Sequence, residues 1–183
     1  VSRLMGGMVD AILMILPVEA DLYLQFLGRN RLPCILIDYR AGNVHLPSVR
    51  LTDREGMQEA TRYLIQLGHK RIGYIKGLGD MGTTRERYNG FVETMEKAGL
   101  EIPDLYTYQG DYEPKSGYDF TRMIMSSASP PTAIIASNDQ MAFGVLEAAR
   151  DMNIIVPNDL SVVGFDDIPT SAKVFPPLTT VHS

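Results

Sequence analysis

Several chemically capable side chains stand just beyond apolar runs of strand length. Asp38 follows 34–37, Arg87 lies on the first helical turns after 71–76, and Tyr112 comes shortly after 105–109. Asn138 and Asp166 close the runs 132–136 and 160–165 in the same way. In open parallel sheets ligands bind outside the carboxyl ends of the strands, so these are the positions where chemistry is to be expected. A carboxylate accepts hydrogen bonds from vicinal hydroxyls, a guanidinium donates in a fixed fork, an amide does both, and an aromatic face covers apolar ring surface. The set suits a small polyhydroxylated or ring-shaped ligand. Singly, each residue could merely cap the helix after it, Asp53 and Asn138 above all. Capping does not call for Arg and Tyr at a strand's carboxyl edge, and the group therefore favours a binding site.

Other chemistries find less support. Gly77-Leu78-Gly79-Asp80-Met81-Gly82 matches G-x-G-x-x-G directly after a strand-like run, which is the dinucleotide-binding signal. In that motif the helix begins within the glycines so that its N-terminus meets a pyrophosphate. Here the helix is expected only from residue 86, with bulky residues from Thr83 to Tyr88 where close packing would be required, and the glycines read as a flexible cleft loop. His45, His69 and His182 lie far apart and outside any metal-ligand spacing, while Asp166-Asp167 lacks a second acidic cluster. The positive run His69-Lys70-Arg71 follows a helix end, where the dipole favours it. No catalytic residue, metal site or cofactor is expected, and the chain does not read as an enzyme.

The elements that must position these residues alternate regularly. Strands are expected at 9–16, 33–37, 48–51, 71–76, 105–109, 132–136 and 160–165, the one at 33–37 buried on both faces. Helices are expected at 21–28, 53–67, 86–98, 116–126 and 139–152, with Asp53 as an N-cap and Gly68 and Gly99 as C-terminal stops. A polar turn runs through Ala41-Gly42-Asn43. Strict β-α alternation implies α/β architecture with doubly wound parallel sheets. The last segment, stiff at Pro176-Pro177 and β-prone at Thr179-Thr180-Val181, suits a crossover between lobes.

Composition narrows the function classes. The 183 residues are 45% hydrophobic, which excludes a disordered chain, and the net charge of -5 argues against direct binding of nucleic acid. Cys34 lies inside an apolar run, has no intramolecular partner, and suits a reducing cytoplasm. No apolar run approaches the roughly 20 residues that span a bilayer.

Taken together, the segments resemble the lactose-repressor-type (LacI/GalR) family over nearly the whole chain. Val9-Asp10-Ala11-Ile12-Leu13 resembles that family's VDGII strand, and 33–38 its PVVxxD strand. Asp53, with 63–72, is similar to its D…YLxxxGHxxI block, and Arg87-Tyr88-Asn89-Gly90-Phe91 to its RxxGF element. Pro131-Thr132-Ala133-Ile134, the stretch 137–144, Val162-Val163-Gly164-Phe165-Asp166-Asp167 and Pro176-Pro177-Leu178-Thr179-Thr180-Val181 complete the series.

The resemblance implies a two-lobe, periplasmic-binding-protein-like fold with an effector in the interlobe cleft and a homodimer. It implies that Asp38, Asp53, Arg87, Tyr112, Asn138 and Asp166 touch the effector, with Thr83 a weaker addition. It further implies a partial first lobe at 1–52, a second lobe at 53–175, and 176–183 returning to the first. The expected function is that of a cytoplasmic transcriptional regulator's sensing core, binding a small effector, a sugar or related polyol before a purine. Operator DNA is then contacted only through an N-terminal domain that these residues lack, and no membrane is involved. The alternative is a ribose-type periplasmic sugar-binding protein for transport, which shares the fold. Arg87 and Asp166 are expected to hold the effector from opposite sides, so that truncating either harms binding much more than folding.

Overall fold

The structure, a computed structural model, describes residues 9–15, 24, 27, 33–37, 46–79 and 81–183. Asp38, His45, the turn at 41–43, Asp80 and most of the helix expected at 21–28 lie outside the described residues. The chain divides into two compact units, Val1–Leu51 and Thr52–Ser183.

In the first unit, β1 (Ile12–Ile15), β2 (Cys34–Ile37) and β3 (Ser48–Val49) form a parallel sheet in the order β1-β2-β3. Cys34 and Leu36 turn to one face, where they cluster with Leu24 and Leu27. Leu13 and Ile15 on the other face are 61% and 63% exposed, and Ile35 is 43% exposed. The second strand is therefore buried on one face only. Its continuous apolar run suggested two covered faces, but the period-2 geometry of a strand sends alternate residues to opposite sides whatever their polarity.

The second unit contains α1 (Asp53–Gln66), β4 (Ile72–Lys76), α2 (Gly82–Lys97), a 3-10 turn at Asp104–Tyr106, β5 (Thr107–Gln109) and α3 (Pro114–Met125). It continues through β6 (Ala133–Ala136), α4 (Asp139–Asp151), β7 (Ser161–Asp166) and β8 (Thr179–His182). All strand pairs are parallel, in the order β5-β4-β6-β7-β8. Strand alternation splits the core into two layers. Ile72, Tyr74, Ala133, Ile135, Val163 and Phe165 meet Met57, Leu64, Phe91 and Met95 of α1 and α2. Ile75, Ile134, Ala136 and Val162 meet Phe120 and Ile124 of α3 and Met141 and Val145 of α4. Helices thus cover both faces, as a doubly wound sheet requires.

Several boundaries differ from the sequence-based expectation. The helix expected from residue 86 begins at Gly82, and the strand expected at 105–109 starts as a 3-10 turn. Residues 179–182 pair with β7 inside the second unit, where the expectation returned 176–183 to the first lobe. Val163 to Asp166 align with Thr179 to His182, so backbone pairing, invisible in the local sequence, decides their sheet. Among the described residues no helix is long and apolar enough to cross a membrane.

Candidate ligand-binding site

Strand order reverses between β4 and β6, because β4 leads outward to β5 while β5 leads back across β4 to β6. At such a switch point the connections leave in opposite directions and open a crevice at the carboxyl ends. The first turns of α2, the residue Tyr112 and the start of α4 surround that edge, with the end of β7 beside them.

Arg87 is its centre. It is 5% exposed, and its Nε donates to Asp53 Oδ1 at 2.7 Å. Its Nη1 donates to the Ser137 carbonyl at 2.5 Å and lies 3.1 Å from Asp166 Oδ1. The guanidinium carbon sits 3.8 Å from the centroid of the Phe165 ring. Burial opposes the Arg87 charge, but the Asp53 and Asp166 carboxylates outweigh it and hold its pKa above the ordinary value. Asp53 was expected as a helix cap. The N-cap position belongs instead to Thr52, which makes no side-chain capping bond, and Asp53 turns its 2%-exposed carboxylate to Arg87.

Asp166 differs from Asp53 in accessibility, with 34% of its side chain open to solvent. Burial pushes its carboxyl above the ordinary value despite the opposing pull of Arg87. Its backbone has φ 107° and that of Asp167 has φ 52°, both in the left-handed region that non-glycine residues rarely adopt. Arg87 and Asp166 are thus in direct contact, where the sequence suggested a ligand-sized gap. The pair is not isolated, since Arg87 is also pinned by Asp53 and Ser137. Truncating Arg87 would strand a buried Asp53 carboxylate, so its loss is expected to weaken folding as well as binding.

Tyr112 forms a fixed wall. Its hydroxyl lies 2.8 Å from Thr84 Oγ1 and 3.3 Å from Thr83 Oγ1, and its carbonyl accepts from Asn138 Nδ2 at 3.0 Å. Its φ is 71°. A Cβ at Gly77 would stand 2.1 Å from Tyr112 Cζ, so the first glycine of the G-x-G-x-x-G stretch exists to admit this ring. The reason given for setting dinucleotide binding aside, a helix that starts late, does not hold. The Tyr112 ring occupies the space over Gly77, whereas a Cβ at Gly79 or Gly82 would meet nothing within 4 Å. Asn138 is the N-cap of α4, accepting from the Met141 amide at 2.9 Å, and is 8% exposed.

The structure therefore brings Asp53, Arg87, Asn138 and Asp166 together, with Thr83 and Tyr112 alongside. Sequence reasoning missed Ser137, whose carbonyl braces Arg87, and Thr84, which orients Tyr112. It also missed Asp139, a buried carboxylate one residue into α4, although Asn138-Asp139 at a helix start was a visible signal. Among the described residues no group of three or more His, Cys, Asp or Glu is placed to hold a metal ion.

Comparisons with known proteins agree with this fold. Residues 61–183 match the periplasmic binding protein-like domain. The chain is 38% identical over 151 residues to the HTH-type transcriptional repressor PurR of Pasteurella multocida, covering 82% of this chain and 45% of that protein. To the PurR of Salmonella arizonae it is 35% identical over 176 residues, 95% of this chain and 52% of that one. It spans about half the length of the curated relatives it matches. Among solved structures, a LacI-family regulatory protein from Chloroflexus aggregans superposes with TM-score 0.93 at 30% identity, over 99% of this chain and 66% of that one. The complex of the transcriptional regulator CelR with cellobiose superposes with TM-score 0.88 at 30% identity, over 100% of this chain and 56% of that one.

Proposed function

The chain belongs to the periplasmic-binding-protein-like domain family, in the form that LacI/GalR-type transcriptional regulators carry as their effector-binding core, and from that premise we propose that it senses a sugar or related polyol at the carboxyl edge of its five-stranded sheet. One observation carries the reading. At the end of β7 a carboxylate, Asp166, is held by a buried arginine and still has a third of its surface open. A charge oriented in this way accepts from ligand hydroxyls without the cost of being ordered on binding.

Roles divide by exposure. Asp166 accepts from the ligand, the Tyr112 ring covers its apolar face, and Thr83 borders it. Arg87 shares its fork between protein and ligand. Asp53 and Asn138, both nearly buried and already bonded, act by holding Arg87 and Tyr112 in place. Asp38 is retained as a ligand contact on the family resemblance. The chain binds and does not catalyse. Effector binding favours one conformation by its differential affinity and so changes operator binding through other parts of the regulator, in the cytoplasm.

Pairing with a second copy is also proposed. Tyr63 and Leu67 are 49% and 58% exposed along an apolar groove of about 290 Å³ that Leu146, Val156 and Pro177 also line, and Phe175 nearby is 94% exposed. Large exposed apolar side chains grouped in this way favour association.

Calorimetry with cellobiose, ribose and hypoxanthine tests the ligand site. Binding of a sugar is expected, with Asp166→Ala reducing affinity by about 30-fold or more, since a hydrogen bond to a charged group is lost. Unchanged affinity in a folded Asp166→Ala variant overturns the assignment. Binding of hypoxanthine alone would transfer the site to purine-like rings stacked on Tyr112.

A further inference from the structure

Asp139 is 1% exposed and is the first residue of α4, where the positive end of the helix dipole favours its charge. Its carboxylate is spent on the chain beyond β7. Oδ2 accepts from the Ile168 amide at 3.0 Å and the Ser171 hydroxyl at 2.6 Å, and Oδ1 accepts from the Thr180 hydroxyl at 2.5 Å. Thr180 Oγ1 in turn accepts from the Asp167 amide at 3.2 Å. Asp166 at the end of β7 and Asp167 directly after it are both at positive φ. Such a backbone persists only where its surroundings over-determine it. Asp139 supplies the restraint, gripping residue 168 directly and residue 167 through Thr180. Gly164 keeps the space for it, because a Cβ there would lie 2.3 Å from Asp139 Oδ1.

We infer that Asp139 is a positioning residue of the binding site, holding Asp166 and Asp167 in the left-handed conformation that sets the Asp166 carboxylate against Arg87. The inference rests on the proposed role of Asp166, but the placement it describes exists without ligand.

The test is made on ligand-free, isotope-labelled protein by side-chain NMR of Arg87. Its Nη1 protons face Ser137 and Asp166, whereas its Nε proton faces Asp53. In Asp139→Ala, solvent exchange at Nη1 and at the Ile168 amide is expected to quicken about tenfold, the value of one lost hydrogen bond, while Nε exchange stays as in the parent. A merely structural role would move Nε and Nη1 alike. Should Asp139→Ala fail to fold, Ser171→Ala and Thr180→Val each remove one donor, with a smaller acceleration at Nη1 expected in both. Asp139→Asn, which retains an acceptor for the Ile168 amide, is expected to fall between the parent and Asp139→Ala. Unchanged Nη1 exchange in a folded variant, or equal acceleration at Nε, overturns the inference. Failure of every sugar in calorimetry would defeat the proposed function while leaving this result standing, so the two outcomes are distinguishable.

Discussion

Two buried carboxylate clusters lie at the carboxyl edge of the five-stranded sheet, one completed by amides and hydroxyls of the protein and the other built around a guanidinium. Around Asp139 every partner is an amide or hydroxyl of the protein, the carboxylate is 1% exposed, and nothing is left for a ligand. Around Arg87 the guanidinium is also buried, but one of its two carboxylates, Asp166, remains a third exposed. Under the proposed function, the difference teaches that a binding group is marked by incomplete burial, with one side held rigidly by protein and the other left to solvent. A closed cluster contributes stability, and an open one exchanges part of that for recognition.

The largest expected effect is at the shared cation. Arg87→Ala leaves Asp53 buried without its partner, and breaking a buried pair by removing one member costs about 3–5 kcal/mol, read as a fall in chemical-denaturation stability. Loss below about 1 kcal/mol would mean that solvent reaches Asp53 and that the open cluster is looser than its geometry indicates. Asp139→Ala comes next, at roughly 2–3 kcal/mol, because the Ile168 amide loses its acceptor while the Ser171 and Thr180 hydroxyls can rotate toward others. Gly77→Ala then displaces the Tyr112 ring, with an expected loss of about 1–3 kcal/mol for overpacking and a loss of sugar affinity in calorimetry.

Asp166→Asn is expected to have the smallest effect, and its sign depends on pH. Because the folded-state pKa of Asp166 is raised, the folded state holds its proton more tightly than the unfolded state, so this residue favours folding in acid. That contribution is complete below the ordinary value of 3.8 and is lost as pH rises through the raised folded value. Asp166→Asn should therefore match or slightly exceed the parent in thermal midpoint at pH 7 and lose that advantage near pH 3.5. An asparagine variant less stable than its parent at pH 7 would show that the Arg87 attraction outweighs burial, and would move Asp166 toward the closed kind of cluster.

Much of the fold was legible in the sequence. Alternation of apolar runs with amphipathic stretches yields a parallel α/β sheet, because parallel strands need a long crossover connection and a helix is its usual form. The strand-end rule located Arg87, Tyr112, Asn138 and Asp166 because it depends on chain order alone. It treated them as equivalents, and here it stopped. The helix start at Gly82 was obscured by residues that look unsuited to close packing, yet Thr83, Thr84 and Arg87 are all buried once Tyr112 and Asp53 receive them.

What the sequence determined by itself is the order of elements and the chemical inventory at their ends, since both follow from local periodicity and residue type. Which carboxylate closes on the protein and which stays open was decided only by the tertiary structure. Asp53 meets Arg87 across 34 residues, Asp139 meets Thr180 across 41, and Gly77 admits a tyrosine from another strand's end. Such pairings depend on sheet order and register, which bring together groups that nothing in their own neighbourhood distinguishes.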